Sequence, residues 1–322
     1  MKKLFIAVLA VAGLASCMQD EVLSQDQAAI EFGDAFVDNS TKALYGTVDG
    51  TTTNVKAFQV WGTVKGTGDA AVALYEGANV YNGTTYGVAW TCDVTRFWTP
   101  NCDYAFYAVV DSTVTPAQGE AANTNVIVAD TNKGVVESIK YVADGMNDLL
   151  YGYKEENTDD AIPTLVEFNM NHLLSLVKVT FKNSVNTSDK AYSYKISDVK
   201  VTGWAEGTYD VAEESWAKVD DNTFDHTFAA VEKLAEGETV NAGLQLIIPN
   251  QPITVSFTYE EQVLGKTYLT KQISQTVVAT AVKNNYYSIN VDFQKNNEIK
   301  FTISDENGVA GWVSGTGSVT IQ

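Results

Sequence analysis

Apolar and polar residues alternate one for one along much of this chain, a period that fits a half-buried strand and not an amphipathic helix. Ile253, Val255, Phe257 and Tyr259 are interleaved with Thr254, Ser256, Thr258 and Glu260. Tyr287, Ile289, Val291 and Phe293 alternate in the same way with Tyr286, Ser288, Asn290 and Asp292. Further strands are predicted at 55–64, 104–110, 177–181, 196–202, 244–248 and 268–278, rich in Val, Ile, Thr, Tyr and Phe and bounded by Gly, Asn and Asp. Helical periodicity is weak, and only 144–149 and 228–235 are candidates. Many short strands between turn signals predict an all-β chain of β-sandwiches.

A charged stretch over 154–163, ending in Pro163, breaks the pattern. It places a boundary between an N-terminal β-sandwich domain, 43–158, and a C-terminal one, 159–322. The run that opens the second domain changes face. Phe168, Met170, His172, Leu174 and Leu176 share one parity, while Leu173, Val177, Val179 and Phe181 share the other. A bulge or bend near 173–175 is therefore expected.

The first sixteen residues form a segment of their own. Lys2 and Lys3 precede a short apolar run, and small residues lead to Cys17. This is the layout of a secretory signal peptide, and the run is too short to span a bilayer. Leu14-Ala15-Ser16-Cys17 resembles the lipobox of bacterial lipoproteins, which implies acylation of Cys17 and an outer-membrane attachment through lipid. Removal of 1–16 leaves 306 of the 322 residues, and the net charge of −19 becomes −21. So acidic a chain is repelled by nucleic acid, and no nucleic-acid partner is expected.

Cys92 and Cys102 are the remaining cysteines. In an exported protein they suit a disulfide closing a short loop, or else two buried thiols. No third Cys or nearby His completes a zinc site. Enzyme motifs fail in turn. His172 and His226 lie outside any His-Glu-x-x-His. Gly265-Lys266-Thr267 lacks the first glycine of a phosphate loop, since Glu260 stands there. Ser175-Leu176-Val177-Lys178 sits in a strand-like run without companion motifs. No catalytic, cofactor-binding or metal-binding residue is assigned, and a non-enzymatic protein without cofactors is expected. Trp90, Trp98, Trp204 and Trp216 either stack on sugar rings or pack in cores. Asp111-Ser112-Thr113 matches a short O-glycosylation signal, a match that chance explains as well.

Several separated stretches together resemble a family. They are the lipobox at Cys17, Thr41-Lys42-Ala43, Asp148-Leu149-Leu150-Tyr151, the run from Phe168 through His172-Leu173-Leu174-Ser175-Leu176-Val177-Lys178-Val179, and Asn285-Tyr286-Tyr287-Ser288-Ile289. In this order and spacing they are similar to the fimbrillin-like pilins of Bacteroidales, the type V pilins. The resemblance implies two transthyretin-like β-sandwich domains in tandem. It also implies assembly in which a trypsin-like protease removes a first strand and a neighbouring subunit supplies a replacement.

On these expectations, 17–42 is a propeptide cut between Lys42 and Ala43, although well-known members are cut after arginine. The removable strand carries Ile30, Phe32 and Phe36. The segment 311–322, with Val313, Val319 and Ile321, is either the donor strand or simply a strand completing its own domain. The expected function is a structural subunit of a cell-surface fimbria supporting adhesion, first an outer-membrane lipoprotein and then part of an extracellular fibre. Its partners would be further copies of itself or related pilin subunits. The alternatives are an uncut anchor or tip subunit, a monomeric surface glycan-binding lipoprotein, and a glycoside hydrolase with facing carboxylates.

Overall fold

A computed structural model describes residues 28–37, 44–46, 52–54, 57–81, 90–111, 126–132, 134–185, 192–304, 313–314 and 317–321. The first part of the chain supplies β1 (Phe32–Val37), β2 (Leu44–Gly46), β3 (Thr52–Asn54), β4 (Ala57–Gly66), β5 (Val72–Tyr81), β6 (Thr91–Cys92), β7 (Cys102–Asp111), β8 (Val126–Asn132), β9 (Val135–Val142) and β10 (Leu149–Asn157). The middle supplies β11 (Val166–His172), β12 (Ser175–Asn183), β13 (Tyr192–Trp204), β14 (Glu206–Asp210), β15 (Ser215–Lys218), β16 (Thr223–Thr227), β17 (Val231–Ala235) and β18 (Thr239–Ile247). The last part supplies β19 (Ile253–Val263), β20 (Lys266–Val278), β21 (Asn285–Phe293), β22 (Ile299–Ser304), β23 (Val313–Ser314) and β24 (Gly317–Ile321). One 3-10 turn, Lys295–Asn297, is the only helical element among the described residues.

The alternating segments form the C-terminal sandwich as their period requires. One sheet runs β18-β12-β21-β22-β24, with β23 beside β21. The facing sheet runs β16-β13-β19-β20, with β17 beside β13. Val177, Val179 and Phe181 of β12 and Ile289, Val291 and Phe293 of β21 meet Ile196, Val201, Val255 and Phe257 in a single core. Burying each such side chain contributes about 1.5–3 kcal/mol, which fixes which parity faces inward.

The N-terminal sheet has seven strands in the order β1-β11-β10-β7-β4-β5-β6. It wraps its own aromatic core of Phe32, Phe58, Tyr75, Phe106 and Phe168. A four-stranded sheet, β15-β14-β9-β8, covers part of its other face. A third core lies between them and holds Trp61, Val109, Leu149, Tyr209 and Trp216.

Three expectations are corrected here. The boundary at 158/159 does not separate the sheets. Beyond it, β11 completes the N-terminal sheet through Leu150↔His172 and Tyr151↔Asn171. In the other direction β9 pairs with β14 through Ile139↔Tyr209. The face change at 173–175 is the real crossing point. Phe168 and Met170 fill the N-terminal core, Leu173, Leu174 and Leu176 the middle one, and Val177, Val179 and Phe181 the C-terminal one. Neither helix forms. Residues 231–235 are β17, and the amides of Phe228 and Ala229 donate to the Val199 and Ala242 carbonyls of neighbouring strands. At 144–149 the Asp144 carboxylate accepts from the backbone N–H groups of Met146 and Asn147 at 2.9 Å, with Gly145 at φ 75°. Such an Asx turn competes with a helix.

Candidate functional site: the slot filled by residues 28–37

The N-terminal segment is wedged between two borders of the curled sheet. On one side β1 runs parallel to β11, with Phe32↔Val166 and Ala35↔Phe168 and a register shift between them. The Val166 amide also donates to the Glu31 carbonyl at 2.8 Å. On the other side Ala29 bridges Phe97 in antiparallel fashion. There the Ile30 amide donates to the Arg96 carbonyl at 2.8 Å, and the Trp98 amide to the Ala28 carbonyl at 3.0 Å. Ten residues therefore close a slot whose walls are β11 and the 96–98 stretch.

The side chains that point inward are apolar. Ile30, Phe32 and Ala35 are all buried. The Phe32 ring lies 5.5 Å from Tyr75, 6.0 Å from Phe106, 6.1 Å from Phe58 and 6.2 Å from Phe168, three of them edge-on. Edge-to-face packing at these separations adds to simple burial. Phe36 lies in β1 opposite Asn169.

Polar groups of the wall fit less completely. The Tyr75 hydroxyl and the Trp98 indole N–H are buried without a hydrogen-bond partner among the described residues. Burial raises the pKa of the Tyr75 phenol, so it stays protonated. Arg96 is held to its own border, its Nε donating to the Leu74 carbonyl at 3.0 Å.

Ile30 and Phe32, which the sequence marked as apolar residues of an expected removable strand, are buried here, and the second border was not anticipated. Arg96-Phe97-Trp98 has no alternation to betray a strand, because it contributes a single bridge. Cys17, Lys42 and Ala43 lie outside the described residues. The C-terminal strand is seated in its own sheet. There β24 pairs with β22 through Phe301↔Val319 and Ile299↔Ile321. Val319 and Ile321 are half-buried against the C-terminal core. Val313 begins β23, opposite Asn285.

No disulfide joins Cys92 and Cys102. Cys92 pairs with Val80 on β5 and Cys102 with Gly66 on β4, so two strands stand between them. Adjacent strands are about 4.8 Å apart, and a disulfide needs Cα atoms within about 7 Å. Burial also raises the Cys92 thiol pKa, disfavouring the thiolate. Trp90, Trp98 and Trp216 are core residues, which removes them as sugar platforms.

Three of the stretches that carried the family resemblance, 148–151, 168–179 and 285–289, converge at the crossing between sheets. Asp148 and His172 are buried and 2.6 Å apart. The Leu173 amide donates to the Leu149 carbonyl at 2.9 Å, and that of Asn284 to Leu174 at 2.8 Å. Leu176 pairs with Tyr286. Their role is to hold β11, β12 and β21 in order. Among the described residues no group of three or more His, Cys, Asp or Glu side chains could hold a metal ion.

The architecture is similar to that of a fimbrial protein from Bacteroides vulgatus, with a TM-score of 0.58 at 13% identity over 84% of this chain and 96% of that one. Cell adhesion candidates from Bacteroides uniformis (TM-score 0.43, 14% identity, 88% and 99% covered) and Bacteroides ovatus (0.44, 16%, 87% and 96%) are too distant to compare strand by strand. No protein of curated function matches the sequence. Residues 41–306 match the model of one family: the chain belongs to the fimbrillin-like family.

Proposed function

We propose that this chain is a pilus-type adhesion subunit of the cell surface, a structural protein that polymerises by exchanging the strand in the slot. Membership of the fimbrillin-like family supports the general role. The slot supports the mechanism. Residues 28–37 form a detachable insert held by main-chain bonds on two borders and by a few buried side chains. Withdrawing them bares the cavity around Phe58, Phe106 and Phe168 together with two unpaired backbone borders, a combination that recruits another strand. Strand addition of this kind draws affinity from main-chain hydrogen bonds and specificity from alternate side-chain pockets.

In this reading export as a lipoprotein through Cys17 keeps the precursor on the outer membrane. A trypsin-like protease then cuts between Lys42 and Ala43, which releases lipid and insert together. The donor is the 313–321 segment of another copy. Donation requires that segment to leave β21, held by two register pairs of β23, and β22, where five register pairs and two half-buried aliphatic side chains hold β24. An edge strand with so little buried surface is the cheapest in the C-terminal sheet to release.

The test is limited trypsin digestion of the purified precursor, read by intact mass and by size-exclusion chromatography. The expected product begins at Ala43 and forms a ladder of oligomers, and deletion of 313–321 leaves the cut intact while abolishing the ladder. A product that begins at Ala43 and stays monomeric refutes strand exchange. Such a result leaves the monomeric surface-binding alternative.

A further inference from the structure

A second concavity lies on the opposite face of the N-terminal sheet, away from the slot. Its floor is the outward row of β7, β10 and β11. Register sets Tyr153 beside Tyr107 and Tyr151 beside Asn171, and Asn169 follows on the same face as Asn171. The Tyr107 and Tyr153 rings are 5.1 Å apart and inclined at 46°. Tyr153 is 43% exposed, and both asparagines are exposed. The facing wall is built from β9 and the turn after β14, which bring Glu137, Asp210 and Glu214, with Lys283 at the end. Lys283 donates to the Tyr209 hydroxyl and to Glu214 at 2.7 Å each, and its ammonium lies 5.2 Å over the Tyr209 ring. The cleft encloses about 800 Å³, the size that holds a small organic ligand.

We propose that this cleft binds an uncharged saccharide. Tyrosine rings lining a concave floor present flat apolar faces to the C–H side of a pyranose; the Tyr153 hydroxyl, which donates to Glu155 at 2.6 Å, remains an acceptor. The Asn169 and Asn171 amides and the Tyr151 hydroxyl make no hydrogen bond to other described residues, so they are available to sugar hydroxyls. Carboxylates accept from hydroxyls and complete the polar side of the site. Three carboxylates face one ammonium, and that ammonium is already paired, so uronates, sialates and phosphorylated glycans are repelled. An apolar peptide gains nothing from this polar rim and leaves it desolvated. The floor side chains come from β7, β10 and β11, so the site is complete in the uncut monomer.

The experiment is calorimetric titration of the intact, uncut chain with neutral oligosaccharides built from glucose, mannose and N-acetylglucosamine, beside oligogalacturonate as the anionic arm. At least one neutral series binds, and oligogalacturonate does not. Tyr153→Ala, at an exposed position, weakens binding about tenfold with an unchanged circular dichroism spectrum. Asn171→Ala weakens it as well and keeps the fold if the tyrosine variant does not. Absence of binding by every neutral series up to about 10 mM, a preference for oligogalacturonate, or full affinity in Tyr153→Ala and Asn171→Ala overturns the proposal. Capture of an unstructured leucine-rich peptide with no sugar binding also overturns it, and assigns the cleft to a protein partner. None of these results bears on trypsin-triggered assembly, which is read separately.

Discussion

Replacing Phe32 by alanine tests whether the slot is held by its insert or merely decorated by it. Phe32 is 1% exposed and packs against four aromatic rings on four other strands, β4, β5, β7 and β11. Truncating a buried phenylalanine costs about 3–5 kcal/mol through lost transfer energy and the cavity left behind. The neighbours that would have to collapse into the gap are themselves fully buried and already packed, Phe58 against Phe168 and Phe106 against Tyr75 and Trp98, so relaxation is limited and a loss of about 4 kcal/mol is expected. Urea unfolding of the precursor followed by fluorescence reads this directly. At a slope of about 2–3 kcal/mol per molar, the midpoint falls by about 1–2 M. Hydrogen exchange localises it: the β11 amides paired with β1 lose protection, while those of β12 and β21 in the other sandwich keep theirs. If the chain is cut at Lys42 as proposed, the residue leaves with the insert, and polymers made from variant and parent should melt together. A shift below about 1 kcal/mol, or equal loss of protection in β12, refutes the claim that Phe32 anchors the insert.

Two further outcomes follow from buried features elsewhere. His226 is fully buried, neither ring nitrogen has a partner among the described residues, and burial lowers its pKa to about 4. The folded state thus favours neutral imidazole: this contribution is complete above pH 6.5 and is lost as the pH falls toward 4, about 3 kcal/mol in all. His226→Leu should flatten the denaturant-midpoint profile between pH 6.5 and 4, and an unchanged slope there would refute the assignment. Gly134 has φ 85°, and an added Cβ would overlap the Gly62 carbonyl oxygen and stand 3.0 Å from that of Tyr75. Gly134→Ala should therefore destabilise by about 1–3 kcal/mol in thermal unfolding, because the turn must move off β4; a neutral result would mean that it moves freely.

Among the local signals, the ones with strict alternation were legible. Ile253 to Tyr259 and Tyr287 to Phe293 lie in strands with the expected faces inward, because a period of two has only one way to bury its apolar half. The short segments at 144–149 and 228–235 misled, since their apolar spacing suits a helical turn while Asp144 and the sheet amides supply other hydrogen-bond partners. In the slot, Ile30 and Phe32 stood out as a plug pattern. Arg96 to Trp98 did not, since one isolated bridge leaves no periodic trace.

Sequence by itself determined that the chain is built of strands, which side of each strand is apolar, and that the face changes at 173–175. These are local properties of side-chain period and burial energy. Only the tertiary structure decided which strands are neighbours. A polar, proline-ended stretch at 154–163 looks like a border, yet β11 beyond it belongs to the sheet before it, and β14 reaches back to β9. Backbone hydrogen bonding between distant strands is indifferent to sequence distance and depends on which cores those strands can close together. The same physics seats residues 28–37 between two borders that are more than sixty residues apart in the chain.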